Sequence, residues 1–432
     1  MGKGDNMQKK NWIIVGIVLT VFAVGFGGFF IYKTLNRVEE IEEEPKVEDS
    51  FNLKLIKIAH KNRNSKNSNY LISPYSIEIA LNMLREGASG QSLEEIDKVL
   101  PKREIADISV KNKVSVANAL YMKDKYEPYI EESFKNTIKE KYNGDMILDP
   151  FLTPDKINNW TKEHTNGMIE KVLDEMDDNF VLGMENAIVI DTEWKEEFSC
   201  QKNSDAEFEK ENGEKISGVM MQKSYTEDAK YFTTDHSKGA IIPYKKYNEN
   251  GEEAEEGGKQ LEFVGILPLQ KDLDSFINNL TDEELKQIDD NTKELSENQE
   301  LITFLPGLKD DYDFIKFKDS LIEMGIKSVF DKEIAELERI IPKTKLHYLG
   351  ADTKNIYVQE AIHKTAIELT KKGTKAAAIT YFGIAKSNSA MVEKEIISVN
   401  FNRPFAYMIR DVDSKEILFF GVIEEPNIVC EE

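Results

Sequence analysis

AIHKTAIELTKKGTKAAAIT, residues 361–380, is the stretch on which the fold turns. After Gly373 it runs Thr374, Lys375, Ala376, Ala377, Ala378, Ile379, Thr380. Side chains of a strand alternate between faces. Thr374, Ala376, Ala378 and Thr380 then share one face and are small enough to enter a closing core; Phe382 and Ile384 continue that face. Lys375 falls on the other, where its charge stays wet. Gly373 is a conformationally permissive pivot. No proline occurs from Gly373 to Val399, so no ladder hydrogen bond is forfeited. A run of alanine also suits a helix. The alternation of hydroxyl and alanine at strand spacing favours an extended strand, with helix left open.

Strand-like runs lie on both sides of this segment. They are AIVI at 187–190, FVGILP at 263–268, LITFLP at 301–306, IISVNF at 396–401, FAYMIR at 405–410 and ILFFGVI at 417–423. Helical periodicity comes earlier, through Phe51, Leu53, Leu55, Ile56, Ile58 and Ala59, and through Ile77, Ile79, Ala80, Leu81, Met83 and Leu84. Ser73-Pro74 and Ser76 sit where the second helix begins. Helices first and strands later indicate α+β rather than an alternating parallel sheet. NENGEEAEEGGKQ, 248–260, has almost no apolar content and reads as a surface insertion between two strands.

The N-terminus breaks the pattern. Trp12 to Tyr32 carries no charge over 21 residues. As a helix it would span about 31 Å, close to a bilayer's hydrocarbon thickness. No A-x-A cleavage site follows, so the expectation is an uncleaved signal-anchor, with a cleaved signal peptide and a secreted product as the alternative. Lys3, Lys9 and Lys10 precede it, which favours residues 1–11 in the cytoplasm, a transmembrane span at 12–32, an acidic stalk at 33–48 and an extracellular domain at 49–432.

Charge and composition exclude several classes. The 432 residues hold 56 Lys and Arg against 79 Asp and Glu, a net −23, which repels nucleic acid. Two cysteines, Cys200 and Cys430, are too few for a disulfide scaffold or a four-cysteine zinc site; whether they bond is open. No G-x-S-x-G elbow, phosphate loop, His-x-x-x-His pair or calcium-loop spacing is present. His363, between apolar neighbours and without a companion nucleophile, reads as a buried, hydrogen-bonded histidine.

Seven segments, in order, resemble the serpin family: NYLISPYS at 69–76, KVSVANALYM at 113–122, INNWTKEHTNGMI at 157–169, ENAIVIDTEWKEEF at 185–198, the 361–380 stretch, FNRPFAYMIRD at 401–411 and LFFGVIEEP at 418–426. The resemblance spans roughly 50–426. It implies an α+β fold of three β-sheets and about nine helices with an exposed reactive loop, about 371–399 in this chain. It also implies a protease inhibitor, not an enzyme, that needs no cofactor and acts as a monomer. A serine protease (subtilisin-, elastase- or trypsin-like) or a papain-like cysteine protease cuts the loop and is trapped when the cut loop inserts in the sheet.

Family spacing makes Gly373, Thr374, Ala376, Ala377, Ala378 and Thr380 the hinge. It puts the reactive bond at Ser387-Asn388, with Lys386-Ser387 second. Thr374 to Ser387 would reach about 46 Å as a strand, one full sheet length. Ser73, Ser76, Asn186 and His363 match a polar cluster under the sheet, and Trp194 a buried tryptophan at its top. Lys371 and Lys372 depart from the family's acidic pair, and Lys375 from its acidic residue. The resemblance also leaves a non-inhibitory, chaperone-like or carrier member as the second reading.

Overall fold

The computed structural model describes residues 48–63, 65, 68–177, 180–201, 206–314, 317–350, 354–374 and 394–430. Helix α1 (Phe51–Asn62) starts where Ser50 accepts a hydrogen bond from Leu53 N, and it buries Phe51, Leu53, Leu55, Ile56 and Ala59. After β1 (Tyr70–Ile72), Ser73 caps α2 (Pro74–Gly87) by accepting from Ser76 N. Pro74 occupies the first turn, where its missing N–H is no loss. The chain continues through α3 (Gly90–Val99), β2 (Val114–Lys123), α4 (Glu132–Tyr142), β3 (Gly144–Asp149) and α5 (Asp155–His164).

Strands then dominate. β4 (Leu182–Ile190) and β5 (Thr192–Glu193) are nearly continuous, followed by the short β6 (Ser199–Cys200), β7 (Phe208–Glu209) and β8 (Lys215–Ile216). Next come β9 (Met220–Tyr225), β10 (Lys230–Thr233), β11 (Ser237–Tyr247) and β12 (Lys259–Pro268). Helices α6 (Leu273–Asn278) and α7 (Asp282–Asp290) precede β13 (Lys293–Glu294), β14 (Gln299–Pro306), β15 (Leu308–Asp313) and α8 (Phe317–Met324). The chain ends with β16 (Val358–Ala361), β17 (Lys364–Leu369), β18 (Gly373–Thr374), β19 (Glu395–Asn400), β20 (Phe405–Asp411) and β21 (Ile417–Ile423). Three short 3-10 helices join these eight α-helices among the described residues. Met1–Glu48 and Asp49–Glu432 form two separate units, and all these elements lie in the second.

A seven-stranded sheet runs β1-β21-β20-β12-β11-β10-β13, and a four-stranded one β19-β14-β9-β6. The third, largest sheet divides into two four-stranded halves, β16-β4-β2-β3 and β15-β17-β18-β5. With the β7-β8 hairpin this makes five hydrogen-bonded groups rather than the three sheets that the family resemblance implies. The division has a local cause, the interrupted pairing between β4 and β17. The acidic insertion emerges between β11 and β12, where Asn248 Oδ1 accepts from Asn250 N and Glu252 N to shape its turn.

The main core joins α1, α2 and the sheets, while a second, smaller core lies under α5. Cys200 and Cys430 are joined by a disulfide with Cα atoms 5.5 Å apart, which fastens the C-terminal segment to β6. Among the described residues no helix is long and apolar enough to cross a membrane. Residues 12–32, which carry the signal-anchor expectation, lie outside the described residues.

Candidate functional site

β16 runs parallel to β4 at the foot of the large sheet, with Val358 opposite Leu182 and Ala361 opposite Met184. At the other end β18 lies between β17 and β5 and is antiparallel to both: Thr374 faces Leu369 on one side and Thr192 on the other. Between foot and top, β4 is paired along one edge only, with β2, and β17 along one edge only, with β15, among the described residues. Two parallel strand edges therefore face each other across an opening. One antiparallel strand, entering from the top, would satisfy both.

The top is a seat for Gly373 and Thr374, the first residues of the expected hinge. Thr370 N donates to Gly373 O at 2.9 Å, closing a tight turn. A Cβ on Gly373 would fall 2.2 Å from Thr192 O and 2.6 Å from Glu193 Cα, so glycine is required by close approach. Thr374 is only 3% exposed, and its hydroxyl is 2.6 Å from the Tyr244 hydroxyl. Tyr244 stacks on Trp194, with ring centroids 4.4 Å apart. Trp194 is fully buried and donates through Nε1 to Thr370 O and through its backbone N to Lys372 O, both at 2.9 Å. Phe198 N donates to Lys371 O. The seat thus engages the backbone carbonyls of Lys371 and Lys372, an engagement indifferent to side-chain charge. Beside it, Glu193 accepts from the Tyr247 hydroxyl at 2.9 Å and pairs with Lys245 at 3.5 Å and Lys113 at 4.0 Å. Burial works to raise the Glu193 pKa, but these partners outweigh it and hold the carboxyl below its usual range.

Towards the foot, His363 Nε2 accepts from Ser73 N at 3.1 Å, and Ser73 Oγ accepts from Ser76 N at 3.1 Å. The Thr365 hydroxyl donates to Leu71 O. Burial pushes the His363 pKa down to about 3, so the ring is neutral and, with Nε2 accepting, holds its proton on Nδ1. Ser73, Ser76 and His363 therefore meet. The backbone of Asn186 pairs opposite Asn118, while its side chain lies outside the described atoms. Trp194 stands apart from this group: eight residues along the strand from Asn186, about 26 Å, it belongs to the hinge seat. Of the hinge, Gly373 and Thr374 are placed; Ala376, Ala377, Ala378, Thr380 and both candidate reactive bonds at Lys386, Ser387 and Asn388 lie outside the described residues.

Tyr244, Thr192 and Glu193 complete the seat of Gly373 and Thr374 and are not picked out by sequence reasoning. Tyr244 sits in an ordinary strand run, IIPYKK, and only long-range pairing brings it to Thr374. Glu185 escapes it too, although a carboxylate two residues before the apolar run AIVI is a readable signal.

Residues 46–426 match the model of the family Serpin (serine protease inhibitor), and the chain belongs to that family. Its members are commonly protease inhibitors. A serpin-like protein of Thermococcus kodakarensis is 27% identical over 90% of this chain and 88% of its own length. The leukocyte elastase inhibitor of Xenopus tropicalis is 27% identical, covering 84% of this chain and 95% of its own. Among solved structures, the native state of the thermophilic serpin Tengpin superposes with a TM-score of 0.69 at 25% identity, covering 87% of this chain and 93% of that one.

Proposed function

We propose that this chain is an irreversible protease inhibitor acting as a suicide substrate. The supporting observation is β18, the start of a strand already seated antiparallel to both neighbours. Continuing its register would set Ala376 opposite Ile367 and Ile190, Ala378 opposite Thr365 and Ile188, and Thr380 opposite His363 and Asn186. Small side chains would thus meet the core face down to the polar cluster. A protease that cuts the loop forms an acyl-enzyme; the freed strand then enters the sheet, carries the protease with it and distorts it before water completes hydrolysis. Trapping and turnover compete from this one intermediate.

The target is a serine protease of subtilisin, elastase or trypsin type, or a papain-like cysteine protease, cutting at Ser387-Asn388 or, second, at Lys386-Ser387. Residues 12–32 anchor the chain, with 49–432 outside the cell. The Cys200–Cys430 disulfide fits such an oxidising setting. A non-inhibitory, chaperone-like role is the second reading, favoured by the lysines at 371 and 372. Mixing the protein with a panel of these proteases separates the two. An SDS-stable complex is expected for the inhibitor; clean cleavage by every enzyme, with no such complex, would refute it.

A further inference from the structure

We propose that Glu185 is a positioning residue for strand insertion: bonded to α5 and β2, its carboxyl latches a cover over the opening between β4 and β17. This inference rests on the insertion reading above. Gly183, Glu185 and Ala187 of β4 point towards α5, whereas Leu182, Met184, Ile188 and Ile190 join the main core. The second core spans the opening. Ala119, Tyr121 and Ala187 lie on its near side, Ile157 and Trp160 come from α5, and Ile362 and Ala366 pack in from the far side.

The segment after α5 is tied back to α5 and across to the far bank. Asn158 Oδ1 accepts from Val172 N at 2.8 Å and Leu173 N at 3.0 Å, Lys364 Nζ donates to Lys171 O at 2.7 Å, and Gln359 Nε2 donates to Asp177 at 2.6 Å. In the register continued from β18, Tyr381 would stand opposite Ile362 and Glu185, on the covered face. That ring would have to displace Ile157 and Trp160 of α5, which now fill the face, and this links the latch to how deep the strand can go.

The latch is one carboxyl group, 5% exposed. The Thr161 hydroxyl donates to Oε1 at 2.5 Å and the Tyr121 hydroxyl to Oε2 at 2.7 Å. The titratable and charged groups around this patch are Tyr121 on β2, Asp145 on β3, His164 on α5, Lys171 in the segment after α5, and Lys364 on the far bank. None of the cations among the described residues pairs with Glu185. Burial pushes its pKa up to about 7, a rise that the two hydroxyls only partly oppose. A carboxyl raised in the closed state favours closure while protonated, and that contribution is lost as pH rises through about 7. Once ionised, it is better solvated outside, so the cover lifts more readily. Opening should increase about tenfold between pH 6 and pH 8 for a group moving between about 7 closed and about 4.5 open.

The test is hydrogen exchange of residues 157–176 in the full chain at pH 6 and pH 8, corrected for intrinsic exchange, in wild type and Glu185→Gln. Glutamine keeps the shape and an acceptor but cannot ionise. Wild type should lose about tenfold in protection at pH 8, and E185Q should not respond to pH. Glu78, also pushed up to about 7 by burial, sits on α2 against Arg103, so Glu78→Gln should leave the response intact. If E185Q fails to fold, Thr161→Val keeps the carboxyl, removes one tie and should lower protection at both pH values. An unresponsive wild type, an E185Q variant that still responds, or a Thr161→Val variant with unchanged protection would overturn the latch alone. A responsive cover over a clipped loop that gains no heat resistance would overturn insertion, and with it the role of Glu185.

Discussion

β12 and β4 are both apolar, central strands, yet only one is finished. β12 pairs with β11 from Lys259 to Pro268 and with β20 from Leu261 to Ile266, so its ladder is satisfied on two sides. β4 pairs fully with β2 but meets β16 only at its foot, and among the described residues its other edge is open from Glu185 to Ile190. The seven-stranded sheet is thus an equilibrium scaffold, packed through Phe263 and Tyr407 at 5.4 Å. Among the described residues, the facing edges of β4 and β17 have no strand between them, and the proposed insertion would supply one. About ten new backbone hydrogen bonds at a net of about 1 kcal/mol each would place roughly 10 kcal/mol in that difference.

The contrast between the two sheets is challenged most severely by blocking the entrance. Thr374→Arg puts a charged, bulky chain against Tyr244. Slowing insertion by about 3 kcal/mol should move the partition from trapping to turnover about 100-fold. The stoichiometry of inhibition measures this, and an unchanged yield of covalent complex would remove the hinge from the mechanism. Core truncations separate the two regions next: Phe263→Ala in the finished sheet should cost about 3–5 kcal/mol in intact and loop-cleaved protein alike. Trp194→Ala, at the seat, should cost a similar amount but differ between the two forms. Denaturant midpoints of both forms read this directly.

Reducing the Cys200–Cys430 bond, which joins residues 230 apart in sequence, should lower stability by about 2–4 kcal/mol without altering the trapping partition. Thermal melts with and without reductant, beside inhibition assays, test both halves of that statement. Acid should act through His363. Its folded pKa lies below the unfolded 6.5, so its contribution is complete above 6.5 and is lost as pH falls towards about 3. His363 by itself should account for a loss of about 2 kcal/mol between pH 7.5 and pH 5. His60, pushed down to about 4 by burial and by Arg63, acts in the same direction, while Glu185 and Glu78, both pushed up to about 7 by burial, act in the opposite one, so the decisive reading is the urea profile of wild type minus that of His363→Asn, a difference that should fall as pH drops. The smallest effect belongs to Tyr244→Phe, which removes one hydrogen bond to Thr374 and should weaken the seat by about 1 kcal/mol, read as faster exchange at Gly373 and Thr374.

What sequence reveals follows from how local each signal is. The Ser73-Pro74 start of α2 and the strand runs at 263–268 and 417–423 are written in neighbouring residues, and the structure forms them there. Gly373 is legible as a pivot, but the reason for it, the approach of Thr192 and Glu193, lies some 180 residues away. His363 and Ser73, 290 residues apart, can be joined only through family resemblance. The division of the large sheet, the role of Tyr244 and the burial of Glu185 under α5 depend on which strands fail to pair, and no periodicity records a missing partner.

Strand insertion itself is tested by cutting the full chain once within residues 375–393 and measuring its heat-denaturation midpoint. Entry of the freed strand predicts a rise of roughly 20 °C, from about 10 kcal/mol at about 2 °C per kcal/mol. A clipped protein that melts at the same temperature as the intact one, or below it, would contradict insertion.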